Sequence, residues 1–244
     1  MMAADSHPGA ARTAYVRGMF GAVARRYDLL NHLFSAGLDI GWRRRAAAAC
    51  DPQDGQTVVD VCCGTGDLAM AVLRRAAGAR VVGVDFSRPM LTRARGKVAR
   101  AGLAARAALV EADALALPLP DASADAATCA FGLRNLADAA CGLAEMVRVV
   151  RPGGRVVVLE FHPPRGRGAM AGLFNLYFRR VLPRLGGWIS GGGHGGYAYL
   201  VSSIEAFGSP RRTAAALEDA GLTDVRIEPL AGGIASVLAA RKPG

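Results

Sequence analysis

The sequence predicts an α/β fold with a mainly parallel sheet covered by helices on both faces. Two observations carry this. From residue 57 onward, short β-branched runs alternate with longer segments of helical apolar spacing. The first of those strands also passes into its helix through two glycines, Gly64 and Gly66, in Cys63-Gly-Thr-Gly-Asp67. Glycine at a strand-to-helix turn lets backbone N–H groups approach a ligand closely. The size agrees: 244 residues with 52% hydrophobic content suit one domain with a full core and exclude a disordered chain.

Residues 1–14 read as a flexible tail without the apolar core of a signal peptide. Residues 15–244 read as a single domain, opening with a helical cap over 15–50. TVVDVC (57–62) is a strand, and 66–77 has helical spacing. RVVGVD (80–85) is the second strand, followed by a helix over 87–102 with Ser87 as N-cap and Gly102 as stop. Residues 107–113 and 124–131 are buried strands, and 137–150 is a helix closed by Arg-Pro-Gly-Gly. RVVVLEF (155–161) is the next strand, and 162–208 is an insertion. A helix over 209–221 precedes two strands, 224–230 and 233–241, which pair through Ala231-Gly232-Gly233.

The formal net charge is +10, from 30 Lys+Arg against 20 Asp+Glu. It is unevenly placed. Residues 12–50 hold seven Arg and two Asp, and residues 161–204 hold five Arg and no acid, so each segment carries +5. The same two segments hold 12 of the 15 aromatics. The rest of the chain is neutral, and the abundance of Ala, Arg, Gly and Pro with almost no Lys suits Arg replacing Lys on a solvated surface, which weakens a nucleic-acid reading of the charge. Lysine occurs only at Lys97 and Lys242. No apolar run reaches the ~18–20 residues that a spanning helix needs. Five cysteines without CxxC spacing suggest reduced cytoplasmic thiols, and no metal is expected.

Asp85 ends the second strand, 21 residues after Gly64, where an acid binds ribose hydroxyls. Gly64-Thr-Gly66-Asp-Leu-Ala69 also satisfies the permissive dinucleotide pattern, but Asp67 would face a pyrophosphate at the helix N-terminus. A cofactor with a ribose and an amino-acid portion but no phosphate fits better, and S-adenosylmethionine is one. Asp60 and Asp67 suit its ammonium or ordered waters. Asp113, after the third strand, is placed either to accept from an adenine amino group or to cap a turn.

With these residues in view, the chain resembles the class I S-adenosylmethionine methyltransferases. Within them it is similar to the ubiquinone/menaquinone biosynthesis C-methyltransferase family. The likeness runs from about Val16 to Arg241 and rests on residues 19–44, CGTGDLA (63–69), VVGVDFSRPML (81–91), AFGLRNLAD (130–138), RVVRPGGRVVVLEF (148–161) and the Tyr197–Ile204 stretch. Phe131-Gly-Leu-Arg134-Asn135 is its most telling part. The resemblance implies a Rossmann-like three-layer sandwich with seven strands, the last antiparallel. It places cofactor binding on the Gly64-Thr65-Gly66 turn, Asp85, Asp113 and Ala114, and the quinol against Arg134 and Asn135. Tyr27 falls in the region expected to close over the cofactor. Departures are Ala130, where some members have Ser, His162, the loop Ser190–Gly196, and a final strand without the family's His.

The implied reaction moves a methyl group to a ring carbon of a prenylated quinol, in menaquinone or ubiquinone biosynthesis. A soluble aromatic substrate is the alternative. Arg134 is expected to stabilise a developing phenolate; as a general base it is poor. Asn135 either bonds a quinol oxygen or caps a helix. His162 and His194 have the pKa of a base but read as structural or solvent-facing. The apolar, Arg-bearing segment 169–189 suits a membrane interface, a tail tunnel or packing on the domain. The partners expected are the quinol, a membrane surface bound peripherally and, as an option, a second copy of the chain. Nucleic acid is not among them, and the expected location is the cytoplasm.

Overall fold

The computed structural model describes residues 9–163 and 195–244. Three helices come first: α1 (Gly9–Val23), α2 (Tyr27–Phe34) and α3 (Leu38–Cys50). Then follow β1 (Thr57–Val61), α4 (Asp67–Arg75), β2 (Arg80–Asp85), α5 (Arg88–Arg100), β3 (Ala107–Glu111), β4 (Ala124–Ala130), α6 (Ala139–Val149) and β5 (Val150–Phe161). The chain closes with α7 (Gly195–Phe207), α8 (Pro210–Asp219), β6 (Thr223–Leu230) and β7 (Ala235–Arg241), as numbered among the described residues.

Seven strands form one sheet in the order β3-β2-β1-β4-β5-β7-β6. All neighbours are parallel except those of β7, which runs against both β5 and β6. The order reverses between β1 and β4. In open α/β sheets that switch point leaves a crevice at the carboxyl ends of the strands, where ligands bind. Strand alternation sorts side chains between the faces. Val58 joins α3 and α4 in one core, whereas Val59 and Val61 join α6 and α8 in the other. Asp60 therefore points to the same face as Val58, beneath the N-terminal turn of α4.

Two local expectations change. Helix α1 opens at Gly9, inside the stretch read as a tail, and Arg12 Nη2 donates to the Arg134 carbonyl at 3.1 Å. Tertiary packing, which no local pattern reports, orders that end. Ser87 sits at the N-cap of α5, but its hydroxyl makes no capping bond and has no partner among the described residues. Asp85 Oδ1 instead accepts from the Ser87 N–H at 2.9 Å. The segment 169–189 and His194 lie outside the described residues.

Both lysines bridge elements. Lys242 Nζ donates to the Val147 and Val150 carbonyls at 2.8 and 2.7 Å. Lys97 Nζ donates to Asp28 on α2 at 2.8 Å, to Thr65 Oγ1 at 3.2 Å, and to Asp67. In a chain that otherwise uses Arg, the compact ammonium is kept where several acceptors converge on one point.

Candidate active site

The crevice at the switch point is a cleft of about 710 Å³, part of it open to solvent. One wall carries Gly64, Asp85 and Met90, another Asp113 and Ala114, and a third Phe131 and Asn135. Thr13, Val16 and Phe20 of α1, with Tyr27 of α2, complete it.

Asp85 organises the first wall. Its Oδ2 accepts from the Gly64 N–H at 2.8 Å, and its Oδ1 holds Ser87. The turn can approach so closely because Gly64 and Gly66 adopt positive φ, 55° and 83°. Burial pushes the Asp85 carboxyl up to about 6 against the lowering effect of those two N–H groups. Gly66 packs against α5, where a Cβ would stand 3.2 Å from that of Ala94, and it is not in the cleft wall. Thr65 is buried and gives its hydroxyl to Asp28 at 2.5 Å, so it braces the cap as well as the turn. Asp113 caps its turn, Oδ1 accepting from the Leu115 N–H at 3.0 Å, and the residue lines the cleft.

Asp60 is buried. Its Oδ1 accepts from Thr128 Oγ1 at 2.9 Å, and its Oδ2 has no partner among the described residues. Burial pushes this carboxyl up to about 7. Asp67, grouped with it from the sequence, is instead paired to Lys97. Of the two, Asp60 keeps an oxygen without a partner among the described residues.

Arg134 and Asn135 lie in a short 3-10 turn, Leu133–Asn135, after β4. Arg134 is buried and donates from Nη1 to Glu160 Oε1 and to the Phe131 carbonyl, both at 2.7 Å. Its Nε has no partner among the described residues. Asn135 donates from Nδ2 to the Phe131 carbonyl at 2.9 Å and accepts from Tyr199 Oη at 3.2 Å. Neither bond caps α6; Asp138 does, accepting from the Cys141 N–H. Tyr27 lines the cleft, its ring 5.8 Å from that of Phe20, and burial raises its phenol above the usual value.

Sequence reasoning passed over Glu160, Lys97, Asp28, Arg43 and Tyr199 as individual functional residues. Glu160 had a signal: a lone charge inside the apolar run Val156–Phe161. Lys97, Asp28 and Tyr199 meet partners far away in the chain, which spacing does not report, whereas Arg43 pairs at i, i+4 with Asp39. Part of the N-terminal positive charge is also spent inside the fold. Arg43 pairs with Asp39, Arg12 reaches Arg134, and the Arg17 guanidinium lies 5.3 Å from the Phe86 ring centre.

His162 follows β5 with its ring buried. Nδ1 meets the Gly208 carbonyl at 3.1 Å, and Nε2 meets Ser236 Oγ at 2.7 Å. The geometry ties α7 and β7 to the end of β5. His162→Ala leaves buried polar partners unmatched and is expected to cost about 2–3 kcal/mol in urea unfolding; a loss below ~0.5 kcal/mol would contradict that structural role.

The sheet order, the glycine turn clamped by Asp85 and the adjoining cleft define a class I S-adenosylmethionine methyltransferase architecture. Residues 9–242 match the ubiE/COQ5 methyltransferase family. The chain belongs to that family. It is 49% identical over 225 residues, 92% of this chain and 100% of the relative, to the demethylmenaquinone methyltransferase of Thermus thermophilus. It is 41% identical to the ubiquinone/menaquinone biosynthesis C-methyltransferase UbiE of Geobacter sulfurreducens, covering 93% of this chain and 88% of that one. Among solved structures, an S-adenosylmethionine-dependent methyltransferase from Aquifex aeolicus superposes with a TM-score of 0.56 at 20% identity, over 77% of this chain and 82% of that one. That likeness concerns the fold alone.

Proposed function

We propose that this enzyme transfers a methyl group from S-adenosylmethionine to a ring carbon of a prenylated quinol, as a step of menaquinone or ubiquinone biosynthesis. The observation that carries the reading is one cleft joining the Asp85-clamped glycine turn to the Phe131–Asn135 segment. Relatives sharing up to 49% of the sequence carry names of that chemistry.

The chain's residues fit the cofactor. Asp85 and Asp113 offer carboxylate oxygens to ribose hydroxyls and an adenine amino group. The orphaned Asp60 Oδ2 offers a counter-charge to an ammonium. When bound, the cofactor supplies an electrophilic methyl on a sulfonium. The protein's share is alignment and exclusion of water, and alignment alone is worth up to roughly 7–11 kcal/mol. Helix α1 and Tyr27 contribute to the cleft wall.

Arg134 Nη1 is occupied by Glu160 and Phe131. From behind the cleft wall, the remaining Arg134 N–H groups stabilise the oxygen charge that develops as a quinol hydroxyl gives its proton to water, which raises electron density on the adjacent ring carbon. Asn135, oriented by Tyr199, holds a quinol oxygen. We place the enzyme in the cytoplasm, peripherally on a membrane, where a prenylated substrate resides, and leave a homodimer open to sedimentation. Five unpaired cysteines agree with a reducing compartment. No helix among the described residues is long and apolar enough to cross a membrane.

Purified protein given labelled S-adenosylmethionine and reduced demethylmenaquinone should label the quinol. No label under reducing conditions would defeat the proposal, and equal turnover of tail-less substrates would favour a soluble aromatic metabolite. Arg134→Met should lower kcat by roughly 100- to 1000-fold, as loss of one oxyanion-stabilising donor does. An unchanged kcat would remove Arg134 from the chemistry.

A further inference from the structure

Exposed apolar side chains gather on the N-terminal cap. Among the described residues, the exposed large hydrophobics are Tyr15, Leu29, Leu38, Ile40 and Ile227, and all but Ile227 lie between residues 15 and 40. Leu29, Leu38 and Ile40 are 59%, 45% and 45% exposed and sit on the corner where α2 passes into α3 through Gly37. Helical spacing accounts for this. Helix α3 buries Asp39, Trp42, Arg43 and Ala46, so the residues between them turn outward.

Charge is sorted on the same cap. Its two acids face inward: Asp28 pairs with Lys97 at 2.8 Å, and Asp39 pairs with Arg43. Arg17, Arg44 and Arg45 stay exposed, and of these three only Arg45 meets an acid among the described residues, Glu228 of β6. The outer face of the cap thus presents Leu, Ile and Arg with no acid of its own.

Clustered apolar exposure marks a surface that meets another. Leu and Ile beside Arg suit an anionic bilayer, because apolar side chains enter the acyl boundary while guanidinium groups meet lipid phosphates. A second copy of the chain suits this face poorly, since two positive faces repel.

We propose that the α2–α3 corner, Leu29, Leu38 and Ile40 with Arg44, docks the enzyme on an anionic lipid bilayer. This rests on the peripheral-membrane reading above and gives it a surface, one distinct from the segment 169–189 to which the sequence pointed. The cap that carries the corner also lines the cleft through Val16, Phe20 and Tyr27. Docking therefore brings the cleft close to the layer that holds a prenyl tail.

The test is co-sedimentation with vesicles of phosphatidylcholine, alone or mixed with phosphatidylglycerol. The wild type should prefer the anionic vesicles and bind them less as salt rises. The double variant Leu38→Asp, Ile40→Asp should weaken binding by roughly 10- to 100-fold. Acids suit the first turn of a helix, so it is expected to fold; Leu29→Asp on α2 is the independent second variant, with the same expected loss. The double variant Ala104→Asp, Ala105→Asp puts the same charge in an exposed turn elsewhere and should change binding by less than about twofold. Wild-type binding by the corner variants overturns the proposal, as does an equal loss in the Ala104, Ala105 control or a wild type that binds neither vesicle. Self-association that the corner variants abolish, with vesicle binding intact, assigns the face to a second copy and overturns it too. Methyl transfer to a detergent-solubilised quinol is measured alongside: wild-type failure there defeats the proposed function, while the vesicles still decide the docking surface.

Discussion

Asp85→Ala is expected to weaken S-adenosylmethionine binding by roughly 100-fold or more. Two backbone donors, Gly64 N–H and Ser87 N–H, lose their charged acceptor at once. Each such bond is worth about 1.5–3 kcal/mol, and the ribose contact is lost with them. The turn that admits the cofactor is shaped by that carboxylate, so the effect exceeds one missing contact. Calorimetry checks it, and an affinity within about threefold of wild type would contradict the role of Asp85. The same carboxylate makes binding depend on pH. Asp85 is pushed up to about 6 and Asp60 to about 7, burial being the main cause for both. Each pKa lies above the unfolded value near ~3.9, so the neutral form stabilises the unliganded fold. That contribution is complete below about pH 4 and is lost as pH rises through about 6 and 7. Affinity for the cationic cofactor moves the opposite way, because Asp60 and Asp85 must be ionised to meet it. The rise in Tm on adding S-adenosylmethionine should be larger near about pH 8 than near about pH 5. An equal rise at both would show that neither acid titrates against the ligand.

Glu160→Ala is expected to cost about 3–5 kcal/mol, because it strands a buried guanidinium. Glu160 is fully buried, and its carboxylate serves Arg134 Nη1, the Arg134 N–H and the Phe161 N–H. Removing both charges is milder. The double variant Glu160→Leu, Arg134→Met should recover most of the lost stability and remain inactive, since buried pairs are often replaceable by apolar groups of similar volume. Urea unfolding of the two variants separates these outcomes. A single variant that costs less than ~1 kcal/mol would mean the pair is not the support of the Phe131–Asn135 segment. The pair also fixes Arg134 behind the Phe131–Asn135 segment. Its charge is matched from below by β5, with Nε left unpartnered among the described residues.

Much of the fold was legible along the chain, because strand and helix periodicities are local. The sheet runs 57–61, 80–85, 107–111 and 124–130 lie within the expected boundaries. The Gly64–Asp85 pairing was legible too, since a turn and the end of the next strand are close in any parallel unit. Asn135 and Asp113 line the cleft, whereas Arg134 and Thr65 are not among its lining residues. The use made of Asp67, Arg134 and the N-terminal arginines was not legible. Their partners are Lys97, Glu160 and elements across the fold, and separations of 26 to 122 residues leave no periodic trace.

The sequence by itself determined the parallel α/β frame, the glycine turn, the acid beside it and the family, because each is written in neighbouring residues. Only the tertiary structure decided which charges are free. Charge on a side chain is a property of sequence, but its availability depends on what the folded chain brings within hydrogen-bond reach. Packing neutralises Asp67 with Lys97 and Arg134 with Glu160. It pairs Arg43 with Asp39 and leaves one oxygen of Asp60 without a partner among the described residues.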